Sequence, residues 1–441
     1  MNTTANTIEH HPLLQDLEVN SGIAGKHSSF LDDERRKAVH LFNEMGIPTG
    51  KHEEWKYLPL TAISKISFKA VSPADAFKLT KADAERFRIA GKEAILVVIE
   101  NGRFNKAASN ANALPKGVTI GALAELASDP RVQNHLAKHA ATEHEPFVAL
   151  NTAGLLDAAI VLIDDQVECA HPIQLIHLSY GDHHATMVSA RTLVVAGKNS
   201  KCAVVESYHT LDDRYPVFTN SVSEVVVGES AHLQYAKVQD ERENAYHISY
   251  HKIHQSKNSE QHIHTITLGG AVVRNNLNIC LDDVNCSTWL NGLYILNGSQ
   301  VVDNHTLVDH AKPHCYSNEL YKGIIDGKAQ GVFNGKIFVR KDAQKTNAYQ
   351  SNKNILLSND ASMNAKPQLE IFADDVKCSH GATTAQPDGD ALFYLRARGI
   401  GETNAKALLN HAFAADVIGR IEMESLKESL LEMLSRKLLE H

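Results

Sequence analysis

Residues 192–197 read Thr-Leu-Val-Val-Ala-Gly and residues 223–228 read Ser-Glu-Val-Val-Val-Gly. Each is a short β-branched run closed by glycine and followed by small or polar residues. Runs of the same texture recur at Ile263–Gly269, Trp289–Leu296 and Gly331–Val339. They are too short for long helices and rich in residues that suit a pleated surface. No helix signal interrupts them between residues 158 and 385, a stretch about twice the size of an ordinary sandwich. A solenoid accounts for this best. Each coil contributes short strands and stacks on the next, with Gly197 and Gly228 at matching places. The expected fold is mainly β: a right-handed parallel β-helix over residues 158–385, flanked by helical regions at 1–157 and 386–441. A large antiparallel sandwich or barrel is the rival. Asn347, Asn352, Asn354, Asn359 and Asn364 are expected at corners, stacking amides or taking left-handed backbone.

Outside the core the pattern changes. Residues 1–30 read as a mobile tail. Leu31 to Met45 fits a helix stopped by Gly46 and Pro48. The stretch Phe147 to Ile160 reads as helical, with Leu150, Leu155 and Leu156 on one face. Residues 1–157 read as mixed and mostly helical. After residue 386, Asp390 to Arg398 is a short amphipathic piece ended by Gly399. Thr403 is the expected N-cap of a helix reaching Ile421, with Leu408, Leu409, Ala412, Phe413 and Val417 as its stripe. Leu426, Leu430 and Leu434 then recur at spacing four. These stripes need a surface, either their own solenoid or another protein.

The net charge of -8 and the absence of a long basic run argue against nucleic acid and anionic membranes as partners. No window approaches the roughly 18 apolar residues of a membrane helix, and the first residues lack a secretory pattern. A cytosolic or organelle-stroma location follows, and of the two a cytoplasmic one is expected. The six cysteines are sparse and form no C-x-x-C, which disfavours both a disulfide framework and a zinc site within the chain.

Catalytic motifs fail on spacing. Gly331-Val-Phe-Asn-Gly335-Lys336-Ile337 has three residues between its glycines and isoleucine where a P-loop needs a hydroxyl. Any ATP must therefore sit on a partner. His262 and His264 share one face of a strand and could hold a metal in a β-helix or cupin-like enzyme, but no carboxylate follows in reach. Exposed or corner histidines are the blander reading. Cys378 and His380 are also two apart. Thiolate and imidazole suit iron, yet two ligands do not hold a four-ligand cluster. Such a pair makes sense at a subunit boundary, where a second chain completes the set; on spacing alone, Cys378 as a small interior residue with His380 at a corner is the favoured reading.

Several stretches resemble the SufB/SufD family of iron–sulfur cluster assembly proteins. They are residues 321–339, Asp342 to Gln350, Asn354 to Ser358, Pro367 to Ile371, Ala373 to Thr383, Leu392 to Ile400, and Glu53-Glu-Trp-Lys-Tyr57. The Lys-Cys-Ser-His-Gly-Ala-Thr string is similar to the SufD branch. The resemblance implies a non-catalytic scaffold that pairs with a SufB-like subunit through the β-helix, or with itself when isolated. It implies Cys378 and His380 at the shared boundary, as metal ligands held jointly with SufB. It also implies docking of a SufC-like ATPase through Leu392, Phe393, Tyr394, Leu395, Arg398, Leu408, Leu409 and Phe413. No stable cofactor is expected on this chain alone, only a transient iron–sulfur cluster in the complex.

Overall fold

The β-branched runs fold into two parallel sheets, with the chain alternating between them. One sheet carries Ala159–Ile163, Thr186–Ala196, Val217–Val227, Tyr246–Gln255, Val272–Leu281, Val301–His310, Gln330–Val339 and Ser362–Ile371. The other carries Ile173–Ser179, Lys201–Thr210, His232–Gln239, Glu260–Thr267, Ser287–Leu296, Tyr316–Ile325, Asn347–Leu356 and Lys377–Ala385. The result is a mainly β solenoid of about eight turns, flanked by helices. Phe218, Tyr246, Val272, Val301, Gln330 and Ser362 stack in register down the first sheet. The computed structural model describes residues 12–14, 17, 29–72, 74–110, 114–181 and 183–439. Most of the anticipated tail lies outside them. Its described part is not free: Leu13, Leu14 and Leu17 are buried with Phe42 and Phe147.

Left-handed backbone recurs at one corner of successive coils, at Asn199, Ser230, Asn258, Asn285, His314 and Lys345. Each stands two residues before a strand, where the chain must bend sharply, and asparagine tolerates that conformation best after glycine. The residue after each, from Ser200 through Ala231, Ser259, Cys286 and Cys315 to Thr346, is small and buried. Asn285 Nδ2 donates to Asn258 Oδ1 at 3.1 Å, an amide stack of the expected kind on different residues. The asparagines anticipated at corners are placed otherwise. Asn352 and Asn354 point inward, where Asn352 Nδ2 donates to Tyr294 Oη and Tyr294 Oη donates to Asn354 Oδ1. Asn347 and Asn364 lie in strands, and Asn359 has no positive φ. Gly228 does stack on the coil of Gly197. Its N–H donates to Ala196 O at 2.8 Å, and a side chain there would meet that carbonyl at 2.7 Å.

The N-terminal region closes the first end of the solenoid with strands. Val118–Ala122 pairs antiparallel with Ala159–Ile163. Ile95–Glu100 pairs parallel with Ile173–Ser179 and antiparallel with Arg103–Phe104. The segment from Phe147 to Ile160 is not one helix. Pro146–Ala153 is helical, Gly154 ends it, and Ala159 already begins a strand. The apolar letters run through both because both are buried, so periodicity could not separate them.

At the other end of the sequence, Glu402–Ile418 and Glu424–Leu439 lie on the outer face of the second sheet. Val417, Ile418, Leu426, Leu430 and Leu434 pack with Val205, Ala236, Ile266, Leu293 and Leu320. Gly401, not Thr403, is the N-cap, and Leu408 is exposed instead of joining the buried stripe. No described helix is long and apolar enough to cross a membrane.

Candidate functional site

The two ends of the solenoid differ. The last coil, formed by Ser362–Ile371 and Lys377–Ala385, has a neighbouring coil on one side only among the described residues. Its far edge therefore presents backbone N–H and C=O groups to solvent, a template for another strand. Ile371 and Phe372 are exposed, Phe372 by 60%, although both belong to an otherwise buried type. Phe372 is held in place by Phe338, with ring centroids 5.5 Å apart.

Cys378 and His380 lie on this last strand and share its inward face. Cys378 continues the column of Thr288, Ser317 and Ala348. It is half-buried against Ile337, Val339 and Ala373, and burial pushes its thiol up. His380 continues the column of Leu290, Glu319 and Gln350, and it is exposed because nothing stacks beyond it among the described residues. Behind it, Gln350 Nε2 donates to Glu319 Oε2 at 2.8 Å. Glu319 is fully buried, and burial pushes its carboxyl up to about 7. An unfolded glutamate ionises near 4.3, so unfolding releases a proton between roughly that value and 7, and stability falls across this window. Replacing Glu319 with glutamine removes the penalty. The apparent Tm of E319Q should match the parent at pH 4 and exceed it at pH 8, as read by thermal melts at both values.

The residues expected to dock an ATPase divide into two groups. Leu392, Phe393, Tyr394 and Leu395 lie on Gly389–Ala397, a helix with no buried residue, and Arg398 caps it. Phe393 is 74% and Tyr394 58% exposed, and the Arg398 guanidinium sits 5.1 Å from the Tyr394 ring centre. Leu408, on the next helix, is exposed as well. Leu409 and Phe413 are half-buried. Phe413 lies under the Lys322 ammonium, which also pairs with Asp416 at 2.8 Å. The Glu402–Ile418 helix is thus fastened to the second sheet through Lys322.

His262 and His264 do share a face. His264 is buried, and burial pushes its imidazole down to about 3. His262 stacks on Trp289, with centroids 4.4 Å apart. Contrary to the expectation from spacing, carboxylates do reach it: Glu260 at 3.0 Å and Glu422 at 3.8 Å. Glu260 precedes the pair and Glu422 arrives from the C-terminal helices, so reading forward along the strand missed both. Among the described residues no group of three or more His, Cys, Asp or Glu is arranged to hold a metal ion.

The Glu53–Trp55 turn clasps the outer face of the first sheet. The Arg274 guanidinium lies 3.8 Å from the Trp55 ring centre, and Arg274 Nη1 donates to Glu54 O at 2.5 Å. His305 bridges Asp303 at 2.9 Å and Glu54 at 3.4 Å, and Lys366 pairs with Glu53 at 2.6 Å. Residues of this clasp line a groove of about 520 Å³.

The sequence reading missed the polar interior. Glu206 is fully buried between the sheets. It accepts from Thr192 Oγ1 at 2.7 Å, Tyr235 Oη at 2.5 Å, His251 Nε2 at 3.0 Å, His177 Nε2 at 3.2 Å and Ser223 Oγ at 3.0 Å. Burial alone would raise its carboxyl, yet the bonds from His177 and His251 hold it well below the ordinary value. One coil on, Lys237 Nζ donates to Ser249 Oγ and Asn275 Oδ1, both at 2.6 Å, and burial pushes it down to about 7. The available signal was a charged letter on the inward phase of a run, as in Val204-Val-Glu206-Ser-Tyr208.

Two family matches together span most of residues 15–413. The family described as SUF system FeS cluster assembly, SufBD core domain, matches residues 178–413, and the SufBD protein N-terminal region matches residues 15–175. The chain belongs to the SufBD family. An iron–sulfur cluster assembly SufBD family protein of Synechocystis is 36% identical, covering 96% of this chain and 94% of its own length. The iron–sulfur cluster assembly protein SufD of Escherichia coli is 31% identical, over 89% of this chain and 90% of its own. A chloroplastic protein of Arabidopsis thaliana, ABCI7, is 29% identical over 71% and 68%. The SufBD core match runs from the early coils through the open coil into the Glu402–Ile418 helix. The clasp at Glu53–Trp55 falls in the SufBD N-terminal region, so the resemblance drawn from short motifs extends over nearly the whole chain.

Proposed function

We propose that this SufBD family member is a non-catalytic, cytoplasmic scaffold subunit for iron–sulfur cluster assembly. Its open coil pairs with the matching coil of a SufB-like sister, or with a second copy of itself when the sister is absent. Its C-terminal helices dock a SufC-like ATPase through Phe393, Tyr394 and Leu408. The nascent cluster is cargo, held transiently between Cys378, His380 and ligands of the sister subunit.

One observation carries this reading: the last coil is left open among the described residues, and it is the coil that bears Cys378 and His380 on its unstacked inner face. A thiol and an imidazole supply half of a four-ligand set, and a coil abutting from a sister chain can bring the rest within a few ångströms. The chain has no P-loop, so an ATPase partner supplies the energy. Closure of that partner would pull on Gly389–Ala397, which follows directly from the ligand-bearing strand, and strain the shared boundary.

The test is anaerobic cluster reconstitution on the co-purified complex, parent against His380→Ala. The variant should assemble with its partners and lose most of the visible absorbance of the cluster. Full absorbance in a complete H380A complex would remove His380 from the site.

A further inference from the structure

Cys286 and Cys315 stand immediately before Ser287–Leu296 and Tyr316–Ile325, two strands that pair in register from Ser287 with Tyr316. Parallel neighbours in register are about 4.8 Å apart, within the range of roughly 4.4–6.8 Å between Cα atoms that a disulfide accepts. Both thiols address one oxygen. The Asp283 carbonyl accepts from Cys286 Sγ at 3.1 Å and from Cys315 Sγ at 3.2 Å. The corner is thin: Asn285 and His314, the residues just before the two cysteines, are exposed. Packing does not call for sulfur here, because the same place is held by Ser200, Ala231, Ser259 and Thr346 in other coils.

We propose that Cys286 and Cys315 form a redox-active dithiol, a modification site for hydroperoxides that closes to a disulfide joining consecutive coils. The thiolate of Cys286 attacks a peroxide oxygen. The O–O bond breaks, the departing hydroxide takes up the proton that the thiol gave up and leaves as water, and Cys286 becomes a sulfenic acid. Cys315 then attacks that sulfur, the S–S bond forms, and the sulfenic oxygen leaves as a second water carrying the Cys315 proton. Two electrons pass from the thiols to one peroxide. The order follows from the closeness of the two thiols, which lowers that of Cys286 and raises that of Cys315. Cys169 and Cys202 also neighbour each other across coils, beside the bridge of Glu168 with Lys201. There burial pushes both thiols up, away from the nucleophilic form.

The experiment treats the reduced full chain with hydrogen peroxide, quenches it with catalase, alkylates it under denaturing conditions and maps the cysteines by mass spectrometry. The expected product is a Cys286–Cys315 linked peptide pair that dithiothreitol reverses, with Cys169 and Cys202 still alkylated. The C286S and C315S chains should fold, since serine already fills this corner at Ser200 and Ser259, and should yield no linked pair. Full alkylation of Cys286 and Cys315 after peroxide, or linkage of either to any other cysteine, would overturn the proposal. None of these readouts depends on cluster assembly.

Discussion

Aspartates in place of Ile371 and Phe372 will abolish pairing through the open coil while leaving the solenoid folded. Phe372 is 60% and Ile371 38% exposed, so both aspartates can keep water in the single chain, and loss of the contacts with Phe338 and Val339 should lower its melting temperature only modestly. If the open coil pairs as proposed, the same positions lie against a sister coil, and each carboxylate must shed its water without a counter-charge. A cost of at least about 3 kcal/mol for the pair of charges corresponds to a loss of more than about a hundredfold in affinity. Size-exclusion chromatography of the I371D/F372D chain with a SufB-like partner reads this directly. Unchanged co-elution would place the interface elsewhere.

The second large effect lies deep inside. Glu206→Ala should cost about 3–5 kcal/mol, because it strands the donors of Thr192, Ser223, Tyr235, His177 and His251 in the dry interior. These residues come from several coils on both sheets, so the loss is felt along the stack. Glu206→Gln keeps the shape and one acceptor oxygen and should cost about half as much. Urea titration followed by circular dichroism provides the comparison. An E206A midpoint within error of the parent would mean that water enters and replaces the carboxylate.

Much of the architecture was legible because repetition leaves a mark in the letters. Thr192 to Gly197 and Ser223 to Gly228 share a β-branched centre closed by glycine, which is the feature a coil repeats. Gly228 sits on the coil of Gly197, as its place in the repeat implied. Runs of this kind persist from residue 158 to 385, too far for a single sandwich, and that length separated the two candidate folds.

The corners were harder to read. The left-handed positions are held by Asn199, Asn258 and Asn285, but also by Ser230, His314 and Lys345. No single residue type marks the bend, so the denser asparagines between 347 and 364 drew attention instead. The start of the solenoid was blurred for a different reason. Pro146–Ala153 and Ala159–Ile163 are both buried, and burial on all sides erases the periodicity that separates helix from strand.

At the candidate site, the spacing of Cys378 and His380 was enough to place them on one face of a strand. Their position on the last coil was not readable from spacing, because it depends on where the stacking stops. Glu319 and Gln350 were invisible for the same reason. They approach His380 through register across coils, with about thirty residues of chain between neighbours.

The strands that close the first end, Val118–Ala122 and Ile95–Glu100, come early in the chain, and the uncovered coil comes late. A ribosome therefore delivers the closing strands before the stack and the uncovered coil near the end. Each turn can settle onto a finished predecessor while the remainder is still being made. At any moment only the newest turn is uncovered, and among the described residues the turn of Ser362–Ile371 and Lys377–Ala385 is the one that stays so.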